Sequence, residues 1–446
     1  MPTAIFNIGR SGLTASRLSL ELTSQNIANA GNTDYSRRNL SQGELVMIGS
    51  IGINQADSFG GVRPGIIERA ESGLVARQAR DASSALAAAD AEFSAMREAE
   101  SAIETSGVFT GLVDFEAALT RLEGNPLEPA LRISAVESAR QMASNFRVAD
   151  AALANARGLV QGETSVELLD VNELAAQLAE VNRDLVGVRE GTAGRAALLD
   201  ARDKALRGLA EQFAILPNIN ANGTADVALA GTPSVALVTG GVAGSISASF
   251  AADGTAAFTV DGAAFVPSGG AMAGRAAALN QMVGLQGELD TLAASVISIA
   301  NTAQANGVGA DGAPGPPLFS GTGAANIAMV LGSANGLATA PTGSPAGSRD
   351  TGNLAALLGA LASPTGPAAG ADALLLSLSS RVAALETRRD GLGVVAASAE
   401  TELLRDTGVD LDTEAANLVR LQQAFEANSR VLQVATELFD TILGLR

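Results

Sequence analysis

The chain has 446 residues, room for two or three domains and a sizeable core, with 47% hydrophobic residues but only 3% aromatic, and a formal net charge of −18. It holds no histidine and no cysteine, which excludes a disulfide framework, Cys/His zinc sites, nucleophile–base pairs built on His or Cys, and His-ligated haem. The acidic balance leaves no basic excess for a phosphate backbone or an anionic membrane surface, so no nucleic-acid partner, no membrane insertion and no cofactor are expected.

The opening "MPTAIFNIGRSGLTASRLSL" lacks an unbroken apolar run, so no cleaved secretory signal is expected. Its periodicity is helical. Ile8, Ala15 and Leu22 form one stripe, and Phe6, Leu13, Leu20 and Ile27 form a second at seven-residue spacing. Residues 1–33 are read as an N-terminal coiled-coil helix, with Gly31 as its left-handed cap. In "SQNIANAGNTDYSRR" Asn26, Asn29 and Asn32 recur at every third position before Tyr35, the chain's single tyrosine. Their amides either satisfy a helix end or bond across subunits and enforce register.

Residues 39–63 read as short extended segments. Pro64 is expected to open an Ala-rich helix to about Thr105, with Ile67, Leu74, Leu86 and Phe93 as its larger apolar groups. Asn125-Pro126 should start another, ending near residue 157. "VNELAAQLAEVNRDLVGV" puts Leu174, Leu178, Val181 and Leu185 on one face, and "LLDARDKALRGLAEQF" is also amphipathic. Residues 34–215 form the first part of a helical body.

From Leu216 the chain alternates short apolar runs with Asn222-Gly223, Asp253-Gly254 and Asp261-Gly262, pairs that tight hairpin turns accept. Residues 216–269 are a small β insertion. The uncharged run Val227–Ala252 is rich in Gly, Ser and Thr and contains Pro233, so it is read as strands, not a membrane span. Helical steps resume at Met282, Leu285, Leu289, Leu292, Val296 and Ile299. Residues 305–350 are loop-like, with proline at 314, 316, 317, 341 and 345. A last body helix spans roughly 370–405, so that residues 270–410 complete the body.

Residues 411–446 form a C-terminal coiled-coil helix that pairs with 1–33. Leu418, Phe425, Leu432 and Phe439 stand seven apart; Ala424, Val431, Leu438 and Leu445 make a second series. Asp412 is the expected N-cap, and Glu414 suits the helix dipole. The fold class is mainly α with a small β domain: a terminal heptad helix pair, an elongated helical body and a short β insertion. One seam per end can close the pair, leaving the other for a different molecule. The candidate assembly residues are Leu13, Leu20, Ile27, Asn26, Asn29, Tyr35, Leu418, Phe425, Leu432, Phe439, Val431 and Leu438. Each large seam residue contributes roughly 2 kcal/mol on burial, against about 1–2 kcal/mol of backbone entropy per ordered residue. The ends are therefore expected to order on assembly.

No catalytic constellation emerges. Asp200, Arg202 and Asp203 cluster in "LLDARDKAL", where charges are expected on a solvated helix face. "GTAGR" and "GADGAPGPP" lack the Gly-Lys-Ser/Thr ending of a phosphate loop, and Asp311 stands without the carboxylates of a calcium loop. No enzyme is expected.

The two ends carry a resemblance. "SGLTASRLSLELTSQNIANAGNTDYSRR" resembles the N-terminal motif of bacterial flagellar axial proteins, and "GVDLDTEAANLVRLQQAFEANSRVLQVATELFDTILGL" resembles their C-terminal motif. Tyr35-Ser36-Arg37 after "NIANA" is most similar to the FlgK family of hook-associated proteins. So are "VNELAAQLAEVNRDL", "ALLDARDKALRGLAE" and "PLFSGTGAANIAMVL", in that order. One departure is Asn32-Thr33-Asp34, where Thr-Pro-Gly is usual. The resemblance implies a structural subunit of the extracellular flagellum at the hook–filament junction, exported by the flagellar type III route. It implies self-assembly into a ring at the hook tip, contacts with hook protein and a distal hook-associated junction protein, and an export chaperone on the C-terminal helix. Other axial proteins (hook, rod, second junction protein) share the end motifs. A surface adhesin or enzyme on the β insertion is the remaining alternative, disfavoured because residues 216–264 hold no basic residue.

Overall fold

The computed structural model describes residues 2–45 and 60–444. Helix α1 (Pro2–Ala28) leads into an antiparallel ribbon, β1 (Arg38–Glu44) with β2 (Val62–Arg69), in which Arg38 faces Arg69 and Leu40 faces Ile67. Part of the expected extended region, residues 46–59, lies outside the described residues. Pro64 does not open a helix: it sits in β2 opposite Gln42, beside a register shift. A two-stranded ribbon has free edges, where a residue without an N–H is tolerated.

The Ala-rich helix starts later, as α2 (Gly73–Ser106), with Phe93 buried and Leu74 on the surface. Gly107, at φ 71°, turns the chain into α3 (Val108–Gly124), a helix the sequence reading did not place. A left-handed residue at this point satisfies the end of one helix and begins the next.

Helix α4 (Pro129–Gly187) is a single element of 59 residues, absorbing both segments expected as separate helices. Its buried side chains explain why it does not stop near 157. Ala139, Met142, Phe146, Leu153 and Val160 lie on one core, and Leu168, Val171, Ala175 and Leu178 on another. Steps of three and four residues carry the stripe across Gly158 and Gly162, so tertiary burial outweighs the roughly 1 kcal/mol that each helical glycine costs. The stretch is also braced: Arg157 Nη1 donates to Asp253 O (3.2 Å) and Gln161 Nε2 to Gly254 O (3.0 Å).

After α5 (Ala193–Gln212) come eight strands: β3 (Ile215–Ile219), β4 (Ala225–Leu229), β5 (Gly231–Thr232), β6 (Val235–Thr239), β7 (Val242–Ala243), β8 (Ile246–Phe250), β9 (Ala256–Val260) and β10 (Ala263–Pro267). They form two antiparallel four-stranded sheets, ordered β3-β4-β6-β7 and β5-β10-β9-β8. Asp261 (φ 49°) and Gly262 (φ 83°) form the two-residue turn from β9 to β10, the conformation for which Asp-Gly is suited. Phe213, Phe258 and Phe265 cluster with ring centroids 5.8–6.3 Å apart. Two asparagines of α4 clasp the sheets: Asn172 bonds both the N–H and the C=O of Ile246, and Asn182 does the same for Ala225.

Helix α6 (Ala271–Ala305) returns to the body. The loop region that follows contains minimal ribbons, β11 (Gly307–Val308) with β14 (Ala340–Pro341) and β12 (Phe319–Ser320) with β13 (Ala328–Met329). So little regular structure needs side chains to hold it. Arg132, only 1% exposed, donates to the carbonyls of Pro126 (2.6 Å), Ala334 (3.0 Å), Asn335 (3.0 Å) and Leu337, and to Thr339 Oγ1 (3.4 Å). Gln304 Nε2 donates to Pro316 O, and its Oε1 accepts from Ala338 N–H. The chain ends with α7 (Gly352–Leu361), α8 (Pro367–Thr407) and α9 (Leu411–Gly444). One stretch within residues 367–441 is long and apolar enough, by length and composition, to cross a membrane. In α8, however, Ala371, Leu374, Leu378, Val382 and Leu385 are buried in the helical core. The architecture is mainly α with a small β domain.

Candidate functional site

Helices α1 and α9 lie antiparallel along most of their lengths. Small residues close the pair. A Cβ on Gly9 would lie 3.1 Å from Leu432 Cγ, and one on Gly12 would lie 2.6 Å from Asn428 Oδ1. Asn428 Nδ2 in turn reaches Ser16 Oγ at 3.4 Å. A second row on α1 faces the ribbon: Ser11 Oγ accepts from Val62 N–H (3.1 Å) and Ser19 Oγ from Gln42 Nε2 (3.1 Å). Ala15 and Leu22 of the first predicted stripe are buried, but Ile8 is exposed.

The large residues of the predicted seams are not sealed within the single chain. Leu13, Leu20 and Ile27 on α1, and Leu418, Phe425 and Leu432 on α9, are only half-buried. Val431, Leu438 and Phe439 are exposed, together with Ile5, Phe6, Ile8 and Val434. Leu445 lies outside the described residues. Small groups on α1 thus set the closest approach to α9, and these seven large apolar side chains remain exposed.

At the foot of the pair the asparagines have partners inside the chain. Asn26, 1% exposed, accepts at Oδ1 from Tyr35 Oη (2.8 Å) and Arg38 N–H (3.1 Å), and donates to Arg38 O (2.9 Å). Asn29 Nδ2 donates to Gln25 O, and Asn32 Oδ1 accepts from Asp34 N–H. Within the chain these amides satisfy a helix end and its turn, the first of the two readings of the asparagine series. Gly31 does not have a positive φ; the Asn29 and Asn32 turns end the helix instead. Burial pushes the Tyr35 phenol above its ordinary pKa, with Asp200 and Glu414 acting in the same direction and Arg38 opposing. Tyr35 therefore stays protonated and keeps donating to Asn26.

Asp200, Arg202 and Asp203 are not on a solvated face. Asp200 and Arg202 are buried. Asp200 Oδ2 takes Arg38 Nη2 at 2.6 Å and its Oδ1 takes Arg69 Nε at 2.7 Å, while Asp203 takes Arg69 Nη2 at 2.7 Å and Arg202 Nη2 at 2.8 Å. Arg38 also stacks over the Tyr35 ring, 4.6 Å from its centroid. This charge cluster ties ribbon and terminal helix to α5. The departure at Asn32-Thr33-Asp34 has a counterpart here, since Asp34 pairs with Arg207 and with Lys204 (3.0 Å). The sequence reading missed Arg38 and Arg69. The signal for them was a carboxylate pair one helical turn apart, which presents two acceptors on one face.

Helix α9 is capped by Asp410, not Asp412: Asp410 Oδ1 accepts from the N–H groups of Asp412 (2.9 Å) and Thr413 (3.2 Å). Those bonds, led by Thr413, hold the Asp410 carboxyl below its ordinary range. A depressed carboxylate stabilises the fold fully above its unfolded pKa of about 3.9 and loses that contribution as pH falls through the lower folded value. Amide exchange at Asp412 and Thr413 should therefore stay slow through pH 4 and quicken only below it. Asp410→Asn, which keeps the acceptor, should remove that pH dependence. A midpoint at or above the ordinary carboxylate value would refute the assignment.

No group of three or more potential metal ligands occurs among the described residues. The description "Flagellar hook-associated protein FlgK helical domain" matches residues 95–319, and "Flagellar basal body rod FlgEFG protein C-terminal" matches residues 402–445. The chain is 25% identical over 233 residues to flagellar hook-associated protein 1 of Bacillus subtilis (strain 168), covering 50% of this chain and 46% of that one. It is 23% identical over 234 residues to flagellar hook-associated protein 1 of Escherichia coli (strain K12), covering 51% and 42%. The chain thus spans about half the length of the curated relatives it matches. The flagellar hook junction protein FlgK from Burkholderia pseudomallei superposes with a TM-score of 0.49 at 22% identity, over 55% of this chain and 46% of that one. With the helical-domain match taking in half of its residues, the chain belongs to the FlgK family of flagellar hook-associated proteins.

Proposed function

We propose that this chain is a structural subunit of the extracellular bacterial flagellum, stacking with copies of itself into a ring that joins hook to filament. The observation that carries this reading is the row of large apolar residues left in solvent by a helix pair that closes on small ones. The proposed partners are other copies, hook protein on one side and a distal hook-associated junction protein on the other. An export chaperone covering the C-terminal helix before secretion would shield the same apolar row. The C-terminal match carries a rod-protein description, so the choice of junction over hook or rod rests on the helical body, residues 95–319. The role is mechanical, with no chemical step.

Leu438 and Phe439, 45% and 47% exposed in the single chain, supply the test. Completing the burial of each is worth about 1 kcal/mol, and an interfacial carboxylate adds a desolvation penalty. The Leu438→Asp, Phe439→Asp double variant should unfold thermally like wild type but add to isolated hooks at least about tenfold more weakly, as read by sedimentation. Amide exchange in α1 and α9 should slow when wild-type chains join hooks. Undiminished addition of the double variant would refute the reading.

A further inference from the structure

A groove of about 990 Å³ runs between α2 and α4, bordered by the last residues of α5 and the first turns of α6. Its α2 wall spans residues 83–98, about 22 Å at the rise of an α-helix. Alanines of both helices line it together with Leu86 and Leu159, and Leu159 is 60% exposed. Five carboxylates also line it, Asp90, Glu98, Glu163, Glu167 and Glu211, against one cation, Arg275. That arginine is already taken by Glu167 (2.5 Å) and Glu163 (3.9 Å). The cations just outside are taken as well. Arg389, near Asp90, is held by Asp390, and Arg207, near Glu211, by Asp34. Among the described residues, Asp90, Glu98 and Glu211 thus have no ion pair, and the enclosed Oε1 of Gln212, on the same groove, has no hydrogen-bond donor.

We propose that this groove docks an amphipathic helix of a partner protein, one that carries Lys or Arg beside an apolar face. The site lies on the helical body, and the inference does not depend on the ring reading. Unmatched carboxylates along an apolar trough call for cations on apolar stems. A free acceptor calls for a donor, which ammonium and guanidinium groups supply in excess. The carboxylates are strung along the helices and do not converge: no three of them could hold a metal ion among the described residues. That spacing suits a row of side-chain cations better than one divalent ion. A helix also matches the length, since about four turns cover the wall. Helix-in-groove recognition places its anchors at three- and four-residue steps, the steps by which Ala87, Asp90, Ala91, Ser94 and Glu98 follow one another along α2. A second copy fits less well, because the chain itself carries a net charge of −18 and like charges across an interface are penalised. Burial pushes the Glu211 carboxyl above its ordinary pKa; Arg207 opposes this and Glu400 reinforces it, in keeping with a carboxylate short of cations.

Titration of the full chain into a fluorescently labelled synthetic helix, read by anisotropy, tests this. The probe is a peptide of about 18 residues, long enough to be helical, with a leucine–alanine face flanked by lysines. It should bind saturably, at least about tenfold more tightly than a scrambled peptide of the same composition, and the peptide with glutamate in place of lysine should not bind. Asp90 and Glu98 are exposed, so the Asp90→Lys, Glu98→Lys double variant should unfold thermally like wild type. It should weaken binding of the lysine peptide about tenfold and flatten the salt dependence. Leu159→Ser, which keeps every charge, should also weaken binding. The inference fails if the lysine peptide does not saturate below about 1 mM, or if the scrambled peptide or the double variant binds as well. Displacement of the bound peptide by micromolar spermidine or sub-millimolar magnesium would replace the helix by a simple cation and overturn it. Self-association of the wild-type chain that is lost in the double variant would make a second copy the occupant, and would overturn it too.

Discussion

Asp200→Ala is expected to destabilise the chain by about 3–5 kcal/mol, the usual loss when one member of a buried ion pair is removed. The side chains of Asp200, Arg38 and Arg69 are almost enclosed, at 12%, 9% and 7% exposure. Removing the carboxylate leaves Arg69 with Asp203 and Glu71 but leaves Arg38 with the Tyr35 ring alone. Arg38 also carries the backbone groups that satisfy Asn26, so the damage should spread into the end of α1. Asp200→Asn, which keeps one acceptor and loses the charge, should cost roughly half as much. Urea unfolding gives the total, and amide exchange in the ribbon should quicken first. A loss below about 1 kcal/mol for the alanine variant would show that the cluster is solvated after all.

Arg132→Met should cost about 3 kcal/mol or more, although it keeps the aliphatic stem. The guanidinium serves four backbone carbonyls and one hydroxyl, with no carboxylate among its hydrogen-bond partners. Its burial lowers its pKa, offset only in part by Asp311. Each buried acceptor left without a donor costs about 1–3 kcal/mol, less where water can enter. Arg132→Lys should rescue little, because an ammonium cannot span acceptors arranged around a planar fork. Proteolysis within residues 309–341 should accelerate before the helices melt. An Arg132→Met chain as stable as wild type would mean that the short ribbons hold the loop unaided.

The mainly helical class, the terminal helices and the tight turns of the β domain were legible because they rest on local periodicity and on residue pairs with few conformational options. Contacts were not. Periodicity gives weight to large residues, whereas Gly9, Gly12 and Ser16 bring α1 and α9 together because they are small. The sequence reading ended a helix near residue 157, yet two successive cores carry α4 on through Gly158 and Gly162. The role of Asp200 depends on arginines 162 and 131 residues away, which no spacing rule within α5 can supply. Helix α3 went unread because its start is a glycine turn, without a side-chain cap.

The unbroken course of α4 has a consequence for how force passes through the molecule. At 1.5 Å per residue, its 59 residues make a rod roughly 90 Å long, rooted in the body at one end and in the β domain at the other. Its weakest stretch, the two glycines, is splinted by the β8–β9 turn through Arg157 and Gln161. A push on the β domain should therefore tilt the whole molecule as a lever instead of flexing at a joint.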